Sequence, residues 1–329
     1  MTSNLARTLL RTCFTSTSTE QFRSLGTYKA AVLKKVNEPL VIEEKKQQKL
    51  TKDDVRIKVN FCSVNAVDCM SFRETTRELP FVPGYELSGK VVEIGKNITN
   101  EQLIVGERVA ALSLEKFGGF AEECVVNVND CFRIPTNVTV KDAAVLICGH
   151  STAVFTFSKL RRPKEDERIV ISAGSAGLGL AAIDVAASMF KAKVIAVTDS
   201  EDRSEFMRER GAFSTVKYTD KIQKEILSLT DKKGAEIIYD AVGDYVLDKI
   251  SSCVSPGGTI FHAAPVIYKT LPAPPPNTTL TVVSLHALRG NDLDLYRCMI
   301  TDTLELAHEG IISAHVSAKF KLAESSLYT

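Results

Sequence analysis

The sequence predicts an α/β protein in which an all-β, barrel-like section is followed by a doubly wound parallel sheet. Two observations support this fold class. From Tyr28 to about Ile134 the chain shows short strand patterns separated by turn residues, whereas after Thr139 apolar strands alternate with amphipathic helices. Strands separated by helices usually pair in parallel and are covered on both faces, so the second section is expected to form one parallel sheet.

In the first section, runs of apolar residues between turn signals mark the strands. Val55–Val59 alternates between apolar and polar residues as a half-buried strand does, and the segments 89–95 and 107–112 are further strands. Gly118, Gly119 and Pro135 are turn residues that punctuate the end of the section. This pattern indicates an all-β, barrel-like domain.

The second section alternates between helix and strand patterns. Helices are predicted over 141–160, 180–190, 204–210, 221–229, 245–253 and 292–308, and strands over 169–171, 194–197, 215–218, 235–240, 259–262 and 280–285. The proline-rich segment 272–276 is expected to be a surface loop.

A glycine-rich turn connects the first strand of this section to the following helix. It reads Gly174-Ser175-Ala176-Gly177-Leu178-Gly179 and nearly matches G-x-G-x-x-G, with an alanine in place of the second glycine. Such a turn in a βαβ unit gathers backbone N–H groups and a helix N-terminus at one point, which suits a pyrophosphate. These six residues are therefore predicted to bind a dinucleotide. The alternative is a tight turn that binds no ligand.

The residues after the next strands bear on the choice of cofactor. Asp199 has the spacing of an acid that accepts from the ribose 2′-OH of NAD, whereas Ser200 and Arg203 suit the 2′-phosphate of NADP. Val242 and Ala263 follow two further strands and are expected at the same carboxyl edge of the sheet, beside the cofactor. Ordinary loop residues are the alternative interpretation for these last two.

Composition argues against several classes of protein. A net charge of +1 over 329 residues does not indicate a basic surface for nucleic acid. No apolar run approaches the roughly 20 residues that a membrane-spanning helix requires. We therefore expect neither a nucleic-acid partner nor membrane insertion. The eight cysteines include no C-x-x-C pair, which predicts neither a disulfide framework nor a cysteine-rich zinc site.

Residues 1–27 have the composition of a targeting segment. They contain Arg7, Arg11 and Arg23 and many Ser and Thr residues, and no acidic residue precedes Glu20. An amphipathic, arginine-rich and acid-poor start is typical of a mitochondrial transit peptide; a disordered tail is the alternative. This interpretation predicts that the protein resides in the mitochondrial matrix.

An ordered set of short motifs runs through the chain. They are PGYELSG at 83–89, GERV at 106–109, GFA at 119–121, IP at 134–135, the glycine-rich turn, RGA at 210–212 and PGG at 256–258. On these motifs the chain resembles the medium-chain dehydrogenase/reductases, and within them the zinc-independent quinone oxidoreductase branch with its mitochondrial quinone oxidoreductase-like members. The resemblance implies a GroES-like catalytic domain at 28–145, a Rossmann dinucleotide-binding domain at 146–287 and a C-terminal return to the catalytic domain at 288–329.

The resemblance also bears on metal binding. The positions that hold zinc in zinc-dependent relatives correspond here to Asn65, Tyr85 and Cys148, and one soft ligand does not build a catalytic zinc site. Cys148 and His150 are interpreted as a buried thiol beside a loop histidine. We therefore expect no metal.

Without metal, the resemblance implies direct hydride transfer from NADPH to a quinone or an α,β-unsaturated carbonyl. Asn65 and Tyr85 are then the candidate catalytic residues: the Asn65 amide would bond the substrate carbonyl or the nicotinamide ribose, and Tyr85 would line the pocket or donate a proton. The alternative is that Asn65 caps a turn and Tyr85 packs in the β domain. Asp68 is expected to support the loop. Tyr218 matches a family residue near the adenosine phosphate, and together with Ser200 and Arg203 it favours NADPH over NADH.

Two other functions stay open. One is an NAD(H)-dependent reductase of the same fold, and the other is a dinucleotide-binding protein without catalysis. The non-catalytic function is considered because the chain ends at Thr329, whereas the resemblance implies a further helix and strand that complete the β domain. The chain is therefore interpreted as shortened. In the family, Rossmann sheets meet in dimers at the strand that corresponds to 280–285, so the resemblance also implies a homodimer.

Overall fold

The computed structural model describes residues 26–172, 177–264 and 271–327. Its N-terminal part is built on two antiparallel sheets, which confirms the all-β section. A ribbon pairs β1 (Thr27–Val32) with β2 (Val41–Lys46). The larger sheet contains β3 (Asp54–Cys62), β4 (Glu86–Ile94), β5 (Arg108–Leu112), β6 (Glu123–Asn127) and β7 (Cys131–Arg133), in the order β6-β3-β4-β5-β7. A short helix, α1 (Ala66–Arg73), lies between β3 and β4.

Strand β3 lies in the interior of the larger sheet and is buried on both faces over its first half. Val55 and Ile57 pack in the apolar core of this domain, as the alternating pattern predicts. Arg56 lies on the other face and is only 3% exposed, because its guanidinium Nε donates to the Glu93 carboxylate at 2.8 Å. The prediction of a half-buried strand is therefore wrong for this stretch, since an ion pair covers the polar side.

The predicted helix over 141–160 is two helices in the structure. α2 (Val140–Leu146) and α3 (Gly149–Phe155) are separated at Ile147 and Cys148, and a π-helical turn (Thr156–Leu160) continues α3. The two helical segments are bent by 51° relative to each other. At the break the Cys148 N–H donates to the Glu86 carboxylate at 2.8 Å, so a side chain distant in sequence satisfies this backbone group.

The second half of the chain forms the expected parallel sheet with helices on its faces. Its strands are β8 (Arg168–Ser172), β9 (Lys193–Thr198), β10 (Ser214–Lys217), β11 (Ala235–Asp240), β12 (Val254–His262) and β13 (Thr279–Val282), in the order β10-β9-β8-β11-β12-β13. The helices between them are α4 (Leu178–Phe190), α5 (Glu201–Glu209), α6 (Ile222–Leu229) and α7 (Asp244–Ser251). Ile169 and Ile171 of β8 pack on one face of the sheet and Val170 packs on the other.

After β13 the chain continues into two helices that return toward the β domain. The strand predicted over 280–285 ends at Val282, because the Ser284 hydroxyl accepts from the Ala287 N–H and caps α8 (Leu285–Asn291). α9 (Leu293–His308) follows. The Arg289 guanidinium from α8 donates to the Asp130 carboxylate at 2.5 and 2.8 Å, which ties the C-terminal helices to the β domain.

Within the described ranges, no single helix has the length and apolar composition that a membrane span requires. Taken as a pair, the bent helices Val140–Leu146 and Gly149–Leu160 have the length and apolar composition of a membrane span. Most side chains of α2 and α3 are buried in the core.

Candidate active site

A cavity of about 500 Å³ lies between the β domain and the parallel sheet. Its wall is formed by the segment 59–65, by residues of α3 and α4, and by the C-terminal segment 313–322. Its volume is in the range of small-molecule and cofactor sites. Three residues predicted from the sequence, Asn65, Gly177 and Leu178, lie in its wall.

The helix α4 begins at the point where the strand order of the parallel sheet reverses. The chain leaves β8 toward β9 and β10 and returns on the other side to β11, so a crevice opens at the carboxyl ends of β8 and β11. Gly177 caps α4 with a φ of +43°, a backbone conformation that favours glycine. Gly179 is buried in the first helical turn. The predicted ligands Gly174, Ser175 and Ala176 lie outside the described residues.

Helix α3 approaches the start of α4 very closely. A Cβ built on Gly149 would lie 3.1 Å from the Gly177 carbonyl oxygen and 3.2 Å from the Ala181 Cβ. Only a glycine permits this spacing without displacement of α4. The close approach brings the residues of α3 to the mouth of the predicted dinucleotide crevice.

A fully buried carboxylate organises the carboxyl edge of the sheet below the glycine-rich turn. Asp240 accepts from the Ser172 hydroxyl at 2.6 Å and from the Gly243 N–H at 2.9 Å, and its other oxygen lies 2.7 Å from His262 Nδ1. These contacts join the ends of β8, β11 and β12. Val242 and Ala263 follow the ends of β11 and β12 at this edge, where Val242 is 39% exposed and Ala263 is 8% exposed; that they adjoin the cofactor stays a prediction.

The candidate residue Asn65 is held by a buried carboxylate that the sequence analysis missed. Asn65 Nδ2 donates to the Ser63 Oγ at 2.7 Å and to the Glu86 carboxylate at 3.0 Å, and the Ser63 hydroxyl donates to the same carboxylate oxygen at 2.6 Å. Burial raises the pKa of Glu86, and the hydrogen bonds from Ser63 and Asn65 counteract this in part. Because the amide donor is engaged, Asn65 presents its Oδ1, which would lie 3.7 Å from a Cβ built on Gly177. Asn65 is therefore an acceptor at the junction with the dinucleotide crevice.

Asp68 supports the loop that carries Asn65, as expected. Its carboxylate accepts from the Asn65 N–H at 3.0 Å and from the Gly84 N–H at 2.9 Å, and the residue is completely buried. Burial raises the pKa of Asp68 from 3.8 to about 7; the two backbone hydrogen bonds oppose the change, and the Glu86 charge adds to it.

The elevated pKa of Asp68 makes stability depend on pH. A carboxyl whose pKa is higher in the folded state stabilises the fold below its ordinary pKa and loses that contribution as the pH rises through the folded value. Relative to Asp68→Asn, we expect the wild type to lose unfolding free energy between pH 3.8 and about 7. The loss is on the order of a few kcal/mol. Urea unfolding of both proteins across this range measures it, and a difference that does not change with pH would contradict the assignment.

Tyr85, the second catalytic candidate, lies behind the cavity wall. Its hydroxyl is 3.5 Å from the Cys148 Sγ, its ring packs 5.4 Å from the Phe117 ring, and it is 7% exposed. Burial holds the pKa of Tyr85 well above its usual value. Among the described residues, Cys148 and Glu86 line the cavity and Tyr85 does not. The structure thus does not bring Tyr85 together with Asn65 on one surface.

The residues predicted to select the cofactor lie at the carboxyl ends of β9 and β10. The Arg203 guanidinium donates to the Asp199 carboxylate at 2.5 Å. The residue predicted to favour NADP is therefore paired with the residue predicted to favour NAD. The Ser200 hydroxyl accepts from the Arg203 N–H at 3.4 Å and caps α5. The Tyr218 hydroxyl donates to the Tyr245 carbonyl oxygen at 3.2 Å.

A buried carboxylate in the cavity wall also escaped the sequence analysis, and it contacts the histidine that was interpreted as a loop residue. His150 lies in α3 rather than in a loop, and its Nε2 is 3.3 Å from the Asp184 carboxylate of α4. Asp184 also accepts from the Ser313 N–H at 2.8 Å, which anchors the C-terminal segment. An acid inside an otherwise apolar helix was the available signal for Asp184, and an acid at the start of the apolar strand β4 was the signal for Glu86.

In the part of the chain that the structure describes, no group of three or more His, Cys, Asp or Glu side chains is arranged to hold a metal ion. Asn65, Tyr85 and Cys148 all take part in hydrogen bonds within the protein. Burial raises the pKa of Cys148 to about 12, and the nearby Glu86 charge adds to this effect.

The chain combines a parallel sheet with a β domain, and a cavity lies between them. A glycine-rich sequence stands where the strand order of the sheet reverses. These features together define the class of two-domain nicotinamide dehydrogenases. Two family models match the chain: "Alcohol dehydrogenase GroES-like domain" over residues 51–136 and "Zinc-binding dehydrogenase" over residues 177–304. The chain belongs to the medium-chain dehydrogenase/reductases, in their zinc-independent quinone oxidoreductase branch.

Individual relatives agree with this family. Quinone oxidoreductase-like protein 2 of Rattus norvegicus is 31% identical over 310 residues, which cover 90% of this chain and 86% of the relative. Its homolog from Nematostella vectensis is 33% identical over 309 residues, which cover 90% and 83% of the two chains. The solved structure of Escherichia coli quinone oxidoreductase complexed with NADPH superimposes with a TM-score of 0.79 at 17% identity, covering 92% of this chain and 94% of that one.

Proposed function

We propose that the protein is an NADPH-dependent reductase that transfers hydride to a quinone or an α,β-unsaturated carbonyl without a metal ion. The observation that carries the proposal is the cavity in which Asn65 of the β domain meets Gly177 at the start of α4. The names of the relatives, which are quinone oxidoreductases, and the NADPH in the Escherichia coli structure support it.

The residues at the switch point fit a dinucleotide. The helix α4 begins after Gly177, whose φ is positive, and the start of such a helix offers backbone N–H groups to a pyrophosphate. The Asp240 carboxylate accepts from the hydroxyl of Ser172, the last residue of β8. When NADPH is bound, its nicotinamide ring supplies the hydride.

The residues around Asn65 orient the ligand rather than react with it. Since Nδ2 is engaged by Ser63 and Glu86, Oδ1, which also takes part in the capping box of α1, is the Asn65 atom that can accept from a hydroxyl, as a nucleotide ribose offers. It does not donate to a substrate carbonyl in this arrangement. Apolar side chains, among them Val64 and Leu178, line the space where the substrate would lie.

The proposal is tested by binding and turnover measurements. NADPH and NADH are titrated by cofactor fluorescence, since the chain contains no Trp, and NADPH oxidation is followed by absorbance with a panel of quinones and enones. We expect micromolar binding of NADPH and turnover with at least one acceptor. Binding without any turnover would favour the dinucleotide-binding protein without catalysis, and absence of binding would refute both.

Arg203→Ala is expected to weaken NADPH binding by about 10-fold and to leave NADH binding nearly unchanged. A guanidinium that binds the 2′-phosphate contributes a charge-assisted contact that NADH does not need. Arg208→Ala is the matched control, because Arg208 lies on the same helix and pairs with Glu201. Equal losses for both cofactors, measured by fluorescence titration, would contradict a phosphate role.

An NAD(H)-dependent reductase is the second candidate, and Asp199 favours it. Its carboxylate directly follows β9, where it can accept from a ribose 2′-OH and would repel a 2′-phosphate. Asp199→Ala separates the two: tighter NADPH binding supports the phosphate site, whereas weaker NADH binding supports the ribose site.

We also propose a mitochondrial matrix location and a homodimer formed through the parallel sheet. The location rests on residues 1–27, of which 1–25 lie outside the described residues. The dimer rests on β13, an edge strand of the sheet whose Val282 is 47% exposed. Fractionation of cells and protein sequencing of the mature N-terminus test the first. Sedimentation of the wild type and of Val282→Lys tests the second.

A further inference from the structure

We propose that the substrate carries an apolar side chain, an alkyl tail of several carbon atoms, which lies along an apolar wall of the cavity. This wall is formed by Phe61, Val64, Val316 and Leu322. The assignment rests on the proposed reductase function and deepens it, because it names the class of quinone or enone that the site accepts.

The apolar wall exposes side chains that a folded protein would ordinarily cover. Phe61 at the end of β3 is 39% exposed and Val64 is 54% exposed, and both line the cavity. Val316 and Leu322 of the C-terminal segment are half-buried and line the same cavity, and Leu322 packs against the same apolar cluster as Cys62. Scattered apolar side chains are normal on a surface, whereas several that share one concave surface mark a ligand-binding groove.

The apolar wall adjoins the place where the reacting group would lie. Val64 directly precedes Asn65, whose Oδ1 would be 3.7 Å from a Cβ built on Gly177. Phe61 is four residues before Asn65, so their Cα atoms are separated by no more than about 14 Å. A ring bound between Asn65 and Gly177 can therefore extend a tail of several carbon atoms to Phe61 within the cavity.

The polar side chains beside the apolar wall do not require a polar ligand. The Ser63 hydroxyl and the Asn65 amide both donate to the Glu86 carboxylate, at 2.6 and 3.0 Å. Asn60 and Lys319 also line the cavity, but both are exposed and can stay hydrated beside a bound tail. Contact with a tail therefore removes apolar surface from water without leaving buried polar groups unpaired.

The first test is NADPH oxidation by the wild type with 2-alkyl-1,4-naphthoquinones from methyl to heptyl. These alkyl groups differ little in their electronic effect on the ring, so differences in kcat/KM report contacts of the tail. Full burial of one CH₂ group is worth about 4-fold in affinity, and a tail with one side in solvent gains about 2-fold. We expect kcat/KM to rise by about 2- to 4-fold for each added carbon until the cavity is full. Equal kcat/KM for the methyl and heptyl compounds would overturn the proposal.

Phe61→Asn locates the tail, and Phe213→Asn is its matched control. Phe213 is 61% exposed, and among the described residues the cavity wall includes Phe61 but not Phe213. We expect Phe61→Asn to lower the ratio of kcat/KM for the heptyl compound to that for the methyl compound by about 10-fold. Phe213→Asn should keep the wild-type ratio. Equal ratios in the two folded variants would mean that the tail binds elsewhere and would overturn the proposal.

Calorimetric titration of the same quinones without NADPH separates the tail site from the reductase function. The dissociation constant should fall by about 2- to 4-fold for each added carbon. A protein that shows this trend but oxidises no NADPH would refute the reductase function and support the tail site. Dissociation constants that do not depend on tail length would overturn the tail site, whatever the turnover.

Sedimentation tests a second copy of the chain as the occupant of the apolar wall. We expect Phe61→Asn and the wild type to have the same oligomeric state. If the wild type is an oligomer that Phe61→Asn dissociates and Phe213→Asn does not, the apolar wall is an interface between copies, and the proposal is overturned.

Discussion

Gly179→Asp is expected to abolish binding of NADPH and NADH by the folded protein, with dissociation constants raised by about 100-fold or more, or roughly 2.7 kcal/mol. Gly179 is buried in the first turn of α4, at the switch point of the parallel sheet. The new carboxylate would occupy the positive end of the helix and repel the cofactor phosphates. Fluorescence titration with both cofactors measures the loss.

The control for this variant is Gly290→Asp. Gly290 also lies in a helix, and a Cβ built there meets no atom within 4 Å. The same chemical change is therefore expected to leave cofactor binding intact. Circular dichroism must show that Gly179→Asp is folded, since burial of a charge also costs stability. Undiminished binding by the folded variant would mean that the pyrophosphate binds elsewhere.

Glu86→Leu is expected to lower the free energy of unfolding by about 3 kcal/mol or more. The carboxylate accepts from the Ser63 hydroxyl, the Asn65 amide and the Cys148 N–H, and all three donors would be left without this partner. Each buried donor without an acceptor costs about 1–3 kcal/mol. The raised pKa of Glu86 indicates that burial of its charge is costly. Removal of this charge therefore offsets part of the loss of unfolding free energy.

Glu86→Gln refines this prediction. A glutamine has one acceptor oxygen, so its NH₂ group must face either the Cys148 N–H or the donors of Ser63 and Asn65. We expect an intermediate loss of about 1–3 kcal/mol by urea unfolding at neutral pH. Glu205→Leu, at an exposed position of α5, is the control and should stay within about 0.5 kcal/mol of the wild type. A Glu86→Leu protein as stable as this control would show that the network does not stabilise the fold.

Most of the second half of the fold could be predicted from local sequence. The strand Arg168–Ser172, the helix Leu178–Phe190 and the strand Lys193–Thr198 lie within two residues of their predicted bounds. Apolar periodicity over such short segments reflects burial against the neighbouring layer, which is a local property. The break between α2 and α3 was not predictable in this way, because the contact between Glu86 and the Cys148 N–H spans 62 residues.

The candidate site was only partly accessible to sequence reasoning. Gly177 was found because a turn motif contains it, and Asn65 because it corresponds to a zinc-ligand position of the family; both lie in the cavity wall. His150 was judged only as half of a metal pair, and Asp184 was not considered. Their relation depends on α3 packing against α4, which brings residues 34 positions apart into contact.

The sequence by itself determined the fold class and the family, because these depend on patterns within a few tens of residues. Only the tertiary structure decided which polar groups share the cavity and which of their hydrogen-bonding atoms remain available. Asn65 became an acceptor because Glu86 engages its amide donor, and Asp184 became the link between α3 and a segment 129 residues further along the chain. Such pairings follow from burial, since a polar group removed from water must find a partner wherever the fold supplies one.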